Sequence, residues 1–227
     1  MKLTFFKIET PIVFNEQYIN VLEIQNQNLF ADCVLHLRQL NNDVENLQPI
    51  QYSEANDGVL HNEDFILIND IFSLDYEKSF SSKLLKLLTE KMNNQQSGLM
   101  MQDSFNNVKK IFEEQIVDLG GNIEYNTLVS LGDIIKLLNP KCNYLDFSSY
   151  FNTCLNFLDT LELLSIKKLL IFVDLKNYLT EKQLVEFYKQ SKHLDINVLL
   201  LESKKSKLIE YEYKNCIDED LYEYVEK

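Results

Sequence analysis

Four side chains that carry oxygen ligands lie close together in the middle of the sequence, around the pair Gly120-Gly121. They are Asp118, Glu124, Asn126 and Asp133. Carboxylate and amide oxygens on a flexible turn are ligands that calcium prefers, so this segment is a candidate calcium site. The ligand pattern of an EF-hand is missing, and a carboxylate in the first turn of a helix is favourable without any metal. Both interpretations stay open on the residues alone.

Lysine side chains form a second set of candidate functional groups. Lysine is a point charge that meets phosphate groups without reading bases, which suits nucleic-acid binding without sequence preference. The alternative is that these lysines flank apolar helix faces and keep them soluble. The candidates are Lys83, Lys86, Lys109, Lys110, Lys136 and Lys141, with a further cluster at Lys204, Lys205 and Lys207.

The chain has the strand pattern of a nucleotide-binding protein without its chemistry. A strand at 18–24 precedes a helix, yet residues 25–29 between them hold neither a glycine nor a Lys-Ser/Thr pair. Residues 169–173 followed by Asp174 have the form of a Walker B strand, which is a weak signal alone. The histidines have no nucleophile at motif spacing, and no pattern indicates a metal-dependent nuclease. The sequence therefore predicts no nucleotide cofactor and no enzyme.

The elements that must position these residues follow from the hydrophobic pattern. Both chain ends alternate apolar strands with helices, which predicts an α/β sheet. A capping box opens the helix at Thr180. The predicted strands cover 1–8, 12–14, 18–24, 50–53, 65–72, 169–173, 196–201 and 208–214, the last as an edge strand, and the predicted helices cover 28–40 and 180–193.

The middle of the chain carries helical apolar stripes throughout, which predicts a packed helical domain. One helix begins near Ser81, the next ends at Gly120-Gly121, a third runs from Leu128 to Asn139-Pro140, and a fourth carries Phe147 to Leu161. The predicted architecture is a discontinuous α/β head with a helical insertion. Its boundaries are 1–76 and 165–227 for the head and 77–164 for the insertion.

Composition bounds the possible functions. The 227 residues carry a net charge of −13, which excludes an evenly basic nucleic-acid coat. Nineteen of the 22 basic residues follow position 76, so a local cationic surface remains possible. No signal peptide and no apolar run of membrane-spanning length occurs. The scattered cysteines indicate reduced thiols in a cytoplasmic protein and make a zinc site improbable.

Several stretches occur in a characteristic order: Lys86-Leu87-Leu88, Ile123-Glu124-Tyr125, 133–138 (DIIKLL), 167–173 (KKLLIFV) and 199–202 (LLLE). This order resembles the accessory spacer-acquisition protein family of type II-A CRISPR–Cas systems. The resemblance covers essentially the whole chain, and it depends on the order of the stretches rather than on one signature motif.

The resemblance implies an α/β head with a degenerate P-loop-ATPase-like fold, an inserted helical domain and a ring-shaped homotetramer. Members of that family bind double-stranded DNA ends without sequence preference, with the duplex in the central hole and calcium ions stabilising the ring. The resemblance implies no catalytic activity. It places the protein in adaptation, beside the integrase complex and the guide-directed nuclease.

The resemblance also ranks the candidate residues. Lys86 and Lys136 match lysines of the family by position, and Glu124 and Asp133 match acidic positions near its calcium sites. Asn126 lies where relatives can have aspartate, and its amide still offers an oxygen. Two alternatives remain: a protein-interaction scaffold of the adaptation complex without DNA affinity, and a divergent nucleotide-binding protein.

Overall fold

The small antiparallel sheet at the start of the chain confirms the predicted opening hairpin. It consists of β1 (Lys2–Thr4), β2 (Ile12–Val13) and β4 (Gln51–Tyr52), in the order β2-β1-β4. The computed structural model describes residues 1–15, 17–42, 44, 48–55, 58–74, 77–120, 123–126 and 128–227. The predicted Asn56-Asp57 turn lies outside them, and Gly58 beside it has φ 74°.

The main sheet has six strands: β3 (Ile19–Ile24), β5 (Phe65–Ile68), β6 (Leu169–Val173), β7 (Val198–Glu202), β8 (Glu212–Ile217) and β9 (Glu223–Glu226). Their order is β5-β6-β7-β3-β8-β9, and every neighbouring pair is parallel except β8-β9. Parallel strands require crossover connections, which explains the alternation of strands and helices along the chain. The predicted mixed α/β class is confirmed.

The helices of the chain are α1 (Gln27–Asn41), α2 (Glu77–Asn93), α3 (Gln96–Leu119), α4 (Leu131–Leu137), α5 (Tyr150–Leu163) and α6 (Glu181–His193). One face of the main sheet packs against α1, where Leu29, Cys33 and Leu37 join the inward-facing Leu22 and Leu201 in one buried cluster. The other face packs against α6, whose Phe187 meets Phe172 of β6 edge-to-face at 5.4 Å. The predicted capping box of α6 is present between Thr180 and Gln183.

Several predicted elements differ from the structure because local caps override the apolar pattern. α4 begins only at Leu131, because Ser130 forms a capping box with Asp133, and Leu128 is left 85% exposed. α5 begins at Tyr150, because the Ser149 side chain accepts a hydrogen bond from the Asn152 backbone N–H. Phe147 therefore lies outside the predicted helix.

The largest difference between prediction and structure concerns the last two strands of the chain. The sequence predicted an edge strand at 208–214, whereas β8 lies between β3 and β9 in the sheet. The alternation of charged and apolar residues indicated an exposed face, yet Glu212 and Lys214 are both buried. β9, which supplies the actual edge, was not predicted.

The chain divides into two compact units. Unit 1 comprises 1–74 and 144–227, and unit 2 comprises 75–143. The predicted boundary at residue 164 differs from this division, because α5 packs against α6 and thereby belongs to unit 1. Unit 2 thus holds α2, α3 and α4, which pack against one another. Gly98 fits closely there, since an added Cβ would lie 2.3 Å from the Met92 carbonyl oxygen.

Across the part of the chain that the structure describes, none of the helices combines the length and the apolar character needed to cross a bilayer.

Candidate nucleic-acid interface

The six lysines first predicted to meet DNA belong to unit 2, whereas the further cluster at Lys204, Lys205 and Lys207 belongs to unit 1. Lys83 and Lys86 are exposed on α2, one helical turn apart, and Lys136 is exposed on α4. Lys86 lies 3.9 Å from Glu90, a contact between two largely exposed side chains that holds the ammonium group only weakly. These amines can therefore exchange an intrachain partner or water for a phosphate at little cost.

The remaining candidate lysines differ in their exposure and in their contacts within the chain. Lys110 is exposed on α3, whereas Lys109 is partly buried and lies 3.8 Å from Glu113. Lys141 is exposed beyond α4 and has an interaction partner within the chain. The structure thus places all six lysines on unit 2, and all of them except Lys109 are exposed.

Charge is divided unequally between the two units. Unit 2 has eight lysines and nine acidic residues, so its net charge is −1 and nearly all of the chain charge of −13 belongs to unit 1. A polyanion is repelled by a strongly acidic surface and much less by a nearly neutral one that carries exposed lysines. Of the two units, unit 2 is therefore the more favourable surface for nucleic-acid phosphates.

Two of the four calcium candidates accept local hydrogen bonds. Asp133 Oδ2 accepts from the Ser130 backbone N–H at 3.0 Å and from the Ser130 hydroxyl at 2.6 Å. These bonds hold the pKa of the Asp133 carboxyl below its usual range. Asn126 Oδ1 accepts from the Leu128 backbone N–H at 3.1 Å. Both side chains thus have a structural role without any metal.

The carboxylates among the four calcium candidates are not gathered into a metal cluster within the described residues. Asp118 and Glu124 are both exposed, the former near the end of α3. Among the described residues, no group of three or more His, Cys, Asp or Glu side chains is placed to share a metal ion. Gly121 lies outside the described residues. A calcium ion would therefore need further ligands, such as water or a second copy of the chain.

The two features of unit 1 that are typical of nucleotide-binding proteins, the turn after β3 and the aspartate after β6, form local hydrogen bonds within the chain. After β3 the chain turns into α1 through Asn26, whose side-chain oxygen accepts from the Leu29 backbone N–H at 3.0 Å. Asp174 follows β6 as predicted, but its Oδ1 accepts from both the backbone N–H and the hydroxyl of Ser203 at 2.8 Å. The carboxylate in the Walker B position therefore holds a loop.

A buried ionic network in unit 1 was not predicted from the sequence. Lys214 is fully buried, and its ammonium group lies 2.9 Å from Glu23 and 3.1 Å from Glu226. It also donates to the Ser206 carbonyl oxygen at 2.7 Å. Burial alone would lower the Lys214 pKa, but the hydrogen bonds to both glutamates raise it above its usual value, so the amine stays charged.

A second lysine extends this network. The Lys176 ammonium group lies 2.7 Å from Glu212, which also accepts from the Tyr188 hydroxyl at 2.6 Å. Glu202 is buried beside them and accepts from the Lys176 backbone N–H at 3.1 Å. Burial raises the Glu202 pKa to about 8. The charged positions inside otherwise apolar strands were the available sequence signal, but their partners come from distant segments.

Comparison with known proteins agrees with this architecture. Residues 47–221 match the family model described as CRISPR-associated protein (Cas_Csn2). The chain belongs to the Csn2 family. The predicted family resemblance is thereby confirmed, and it places this Csn2 protein among CRISPR-associated proteins.

Individual relatives of this Csn2 chain are distant. CRISPR-associated protein Csn2 of Streptococcus agalactiae is 22% identical over 210 residues, which cover 90% of each chain. The crystal structure of Stu0660 of Streptococcus thermophilus is similar in fold, with a TM-score of 0.59 and 18% identity over 98% of this chain and 77% of that one. At this identity, the structural similarity concerns the fold alone.

Proposed function

We propose that this Csn2 family protein binds double-stranded DNA ends without sequence preference and acts, without catalysis of its own, in CRISPR spacer acquisition. The observation that carries the proposal is the set of exposed lysines on unit 2, whose net charge is close to zero in an otherwise acidic chain. Such lysines supply phosphate contacts, and no arginine occurs in unit 2 to read base edges.

Self-association is part of the proposal, with a homotetrameric ring as the assembly. The support is an apolar stripe along α3 formed by Met100, Val108, Ile111 and Leu119, each more than 60% exposed. These residues recur at helical spacing, and an exposed apolar surface of this kind indicates a protein contact. A ring with lysines inside and acidic groups outside would favour entry of DNA from an end.

Calcium is proposed as an ion that stabilises this assembly rather than as a ligand of one chain. The carboxylates of Asp118 and Glu124 are exposed, and the second carboxylate oxygen of Asp133 is not used by Ser130. Such oxygens suit calcium when further ligands complete the coordination shell.

We also propose that the head is a degenerate P-loop-type sheet that binds no nucleotide. Strand β3 is followed by α1, and β6 is followed by an aspartate, as in that class of fold. The turn at 25–29 lacks the glycines that let backbone N–H groups reach phosphates. Calorimetric titration with ATP and magnesium is expected to show no binding.

The test of DNA binding is a gel-shift experiment at low salt with calcium. One duplex sequence is compared as a linear fragment and as a covalently closed circle, each with and without chelator. We expect a shift of the linear DNA alone, weakened by the chelator. If neither DNA shifts, the alternative becomes the preferred one: a scaffold in the cytoplasm that acts through the integrase complex and the guide-directed nuclease.

A matched set of variants assigns the binding surface. Lys86→Gln and Lys136→Gln together should weaken duplex binding irrespective of sequence and make it less dependent on salt, because counterion release falls with each lost phosphate contact. Lys182→Gln, an exposed lysine on α6 in unit 1, is the control and should leave binding unchanged. Equal losses in both would contradict the assignment to unit 2.

A further inference from the structure

The loop between β7 and β8 presents the lysines that the proposed duplex site does not use. Residues 203–211 contain Lys204, Lys205 and Lys207, all exposed. The loop begins at the carboxyl end of β7, and in parallel α/β sheets ligands bind outside the carboxyl ends of the strands. The position of this loop is therefore one at which a ligand is expected.

Buried charged groups hold this loop in one conformation. Glu23 Oε2 accepts from the Ser206 backbone N–H at 2.9 Å and from its hydroxyl at 3.0 Å. Asp174 Oδ1 likewise accepts from both the backbone N–H and the hydroxyl of Ser203, and Glu212 accepts from the Ile209 backbone N–H at 3.0 Å. The loop is thus fixed at three points by side chains of other elements.

The buried charges that hold the loop must give up their hydration, which costs free energy. Buried ion pairs contribute little net stability, because the loss of hydration offsets the attraction between the charges. Here the buried carboxylates of Glu23 and Glu212 are paired with Lys214 and Lys176, and all four groups also contact the loop. The network therefore serves to position the loop that carries the exposed lysines.

Four aromatic rings of unit 1 contact one another in a row. Tyr178 stacks on Tyr150 with ring centroids 4.7 Å apart and an interplanar angle of 6°. Tyr150 meets Phe72 edge-to-face at 5.6 Å, and Phe72 stacks on Phe147 at 5.6 Å. The two ends of this aromatic row are open to solvent, since Phe147 is 80% and Tyr178 54% exposed.

Contacts on both sides of Tyr178 connect the aromatic row to the loop. Two residues before it, the Lys176 ammonium group donates to the Ser206 hydroxyl at 3.1 Å. Three residues after it, Glu181 lies 3.9 Å from Lys207. The segment that carries the exposed Tyr178 ring is thereby attached to the loop that carries the exposed lysines, within the same unit.

We propose that the 203–211 loop and the aromatic row form a binding surface for an unpaired nucleic-acid strand. The ammonium groups of Lys204, Lys205 and Lys207 would meet phosphates, while the open faces of Tyr178 and Phe147 would stack on bases. A cationic track beside aromatic rings is the arrangement by which proteins bind single strands without reading sequence. The surface is separate from the duplex site proposed for unit 2.

The acidic groups near this surface favour a strand that enters on the loop side. Asp174 is held by Ser203, and Glu181 faces Lys207. At the other end of the aromatic row, Asp146 accepts from the Ser148 backbone N–H and hydroxyl and from the Asn152 amide, which keep its pKa low and its carboxylate charged. Phosphates are therefore expected along the loop, with bases directed toward the rings.

Binding of fluorescent single strands to the full-length protein tests the proposal. The probes are a short thymidine oligonucleotide, an abasic phosphodiester of the same length and a blunt duplex, all measured by anisotropy. We expect the thymidine strand to bind more tightly than the abasic strand, by about 5- to 100-fold, the range that stacking on aromatic side chains produces. Equal binding of both strands, or binding of neither, would overturn the proposal.

Variants locate the effect and separate it from loss of folding. Tyr178→Ala and Phe147→Ala should each remove most of the preference for bases, whereas Tyr178→Phe should retain it because the ring remains. Tyr222→Ala is the matched control, because Tyr222 is 68% exposed and stacks on Tyr224 but lies beside acidic residues instead of lysines. An equal loss in this control would refute the assigned location.

Two further outcomes distinguish this surface from the duplex site. If Lys204→Gln combined with Lys205→Gln weakens binding of the single strand but not of the blunt duplex, the two surfaces are independent, as proposed. If the wild-type protein binds the single strand but not the blunt duplex, the proposed duplex function is contradicted and this inference stands. If the alanine variants bind every probe normally but no longer bind the purified guide-directed nuclease, the surface is a protein contact and the inference is wrong.

Discussion

The buried amine of Lys214 offers a direct test of how unit 1 is held together. Its three hydrogen-bond donors are all used, by Glu23 at 2.9 Å, Glu226 at 3.1 Å and the Ser206 carbonyl oxygen at 2.7 Å. In Lys214→Met the side-chain volume is roughly preserved, but the buried Glu23 carboxylate loses its counter-charge. Leaving one member of a buried ion pair without its partner costs about 3–5 kcal/mol.

The expected change is large compared with the stability of a typical domain, which is about 5–15 kcal/mol. For a urea dependence of about 3 kcal/mol per M, the loss corresponds to a midpoint lower by about 1–2 M. Urea unfolding of the wild type and the variant, followed by circular dichroism, measures this shift. Lys86→Met is the control, since its exposed contact with Glu90 contributes little.

A double variant shows whether the cost comes from the unpaired carboxylate. Glu23→Gln combined with Lys214→Met removes both charges, so it should be less destabilised than the sum of the two single changes. A midpoint of Lys214→Met that matches the wild type would refute the reasoning. It would mean that the protein accommodates an unpaired Glu23 side chain at little cost, and that the network does not fix the 203–211 loop.

Three further predictions concern other sites. Because burial raises the Glu202 pKa to about 8, folding favours the protonated acid, and stability should fall as pH rises from the ordinary glutamate range toward 8. Thermal unfolding of Glu202→Gln at about pH 5.5 and about pH 8.5 should lack this decline. Ser130→Ala should destabilise unit 2 by about 1 kcal/mol in urea unfolding, because it removes the α4 cap. Ile111→Glu should reduce self-association in analytical ultracentrifugation while far-UV circular dichroism is unchanged, because a charge interrupts the apolar stripe of α3.

The sequence identified most elements of unit 1 because their signals are local. The fully apolar run at 169–173 is typical of a buried parallel strand, and the Thr180–Gln183 capping box marks the start of a helix within one turn. The same holds for the α4 stop before Asn139-Pro140. Each of these features depends on residues a few positions apart, so no knowledge of the tertiary structure is needed.

The misjudged parts of the fold depend on distant partners. Glu212 and Lys214 look like the outward-facing residues of an edge strand until Lys176 and Glu23 are known to face them. Their pairing joins segments far apart in the sequence, so no pattern within 208–214 could reveal it. The calcium candidates stay a prediction, because they were grouped by proximity in sequence, and two of them, Asp133 and Asn126, also form hydrogen bonds at a helix start and in a turn.

The unequal division of charge bears on how both proposed surfaces would act. Unit 1 holds nearly all of the net charge of −13, so its net charge opposes DNA binding, and the 203–211 loop contributes three exposed lysines that offset this repulsion locally. Unit 2 is nearly neutral, so repulsion opposes the proposed duplex contact with its lysines much less. The two proposals therefore assign a duplex to the nearly neutral unit 2 and an unpaired strand to the lysine-bearing loop of the acidic unit 1. Closed circular DNA offers neither an end nor an unpaired strand, so we expect the acidic remainder of the chain to repel it.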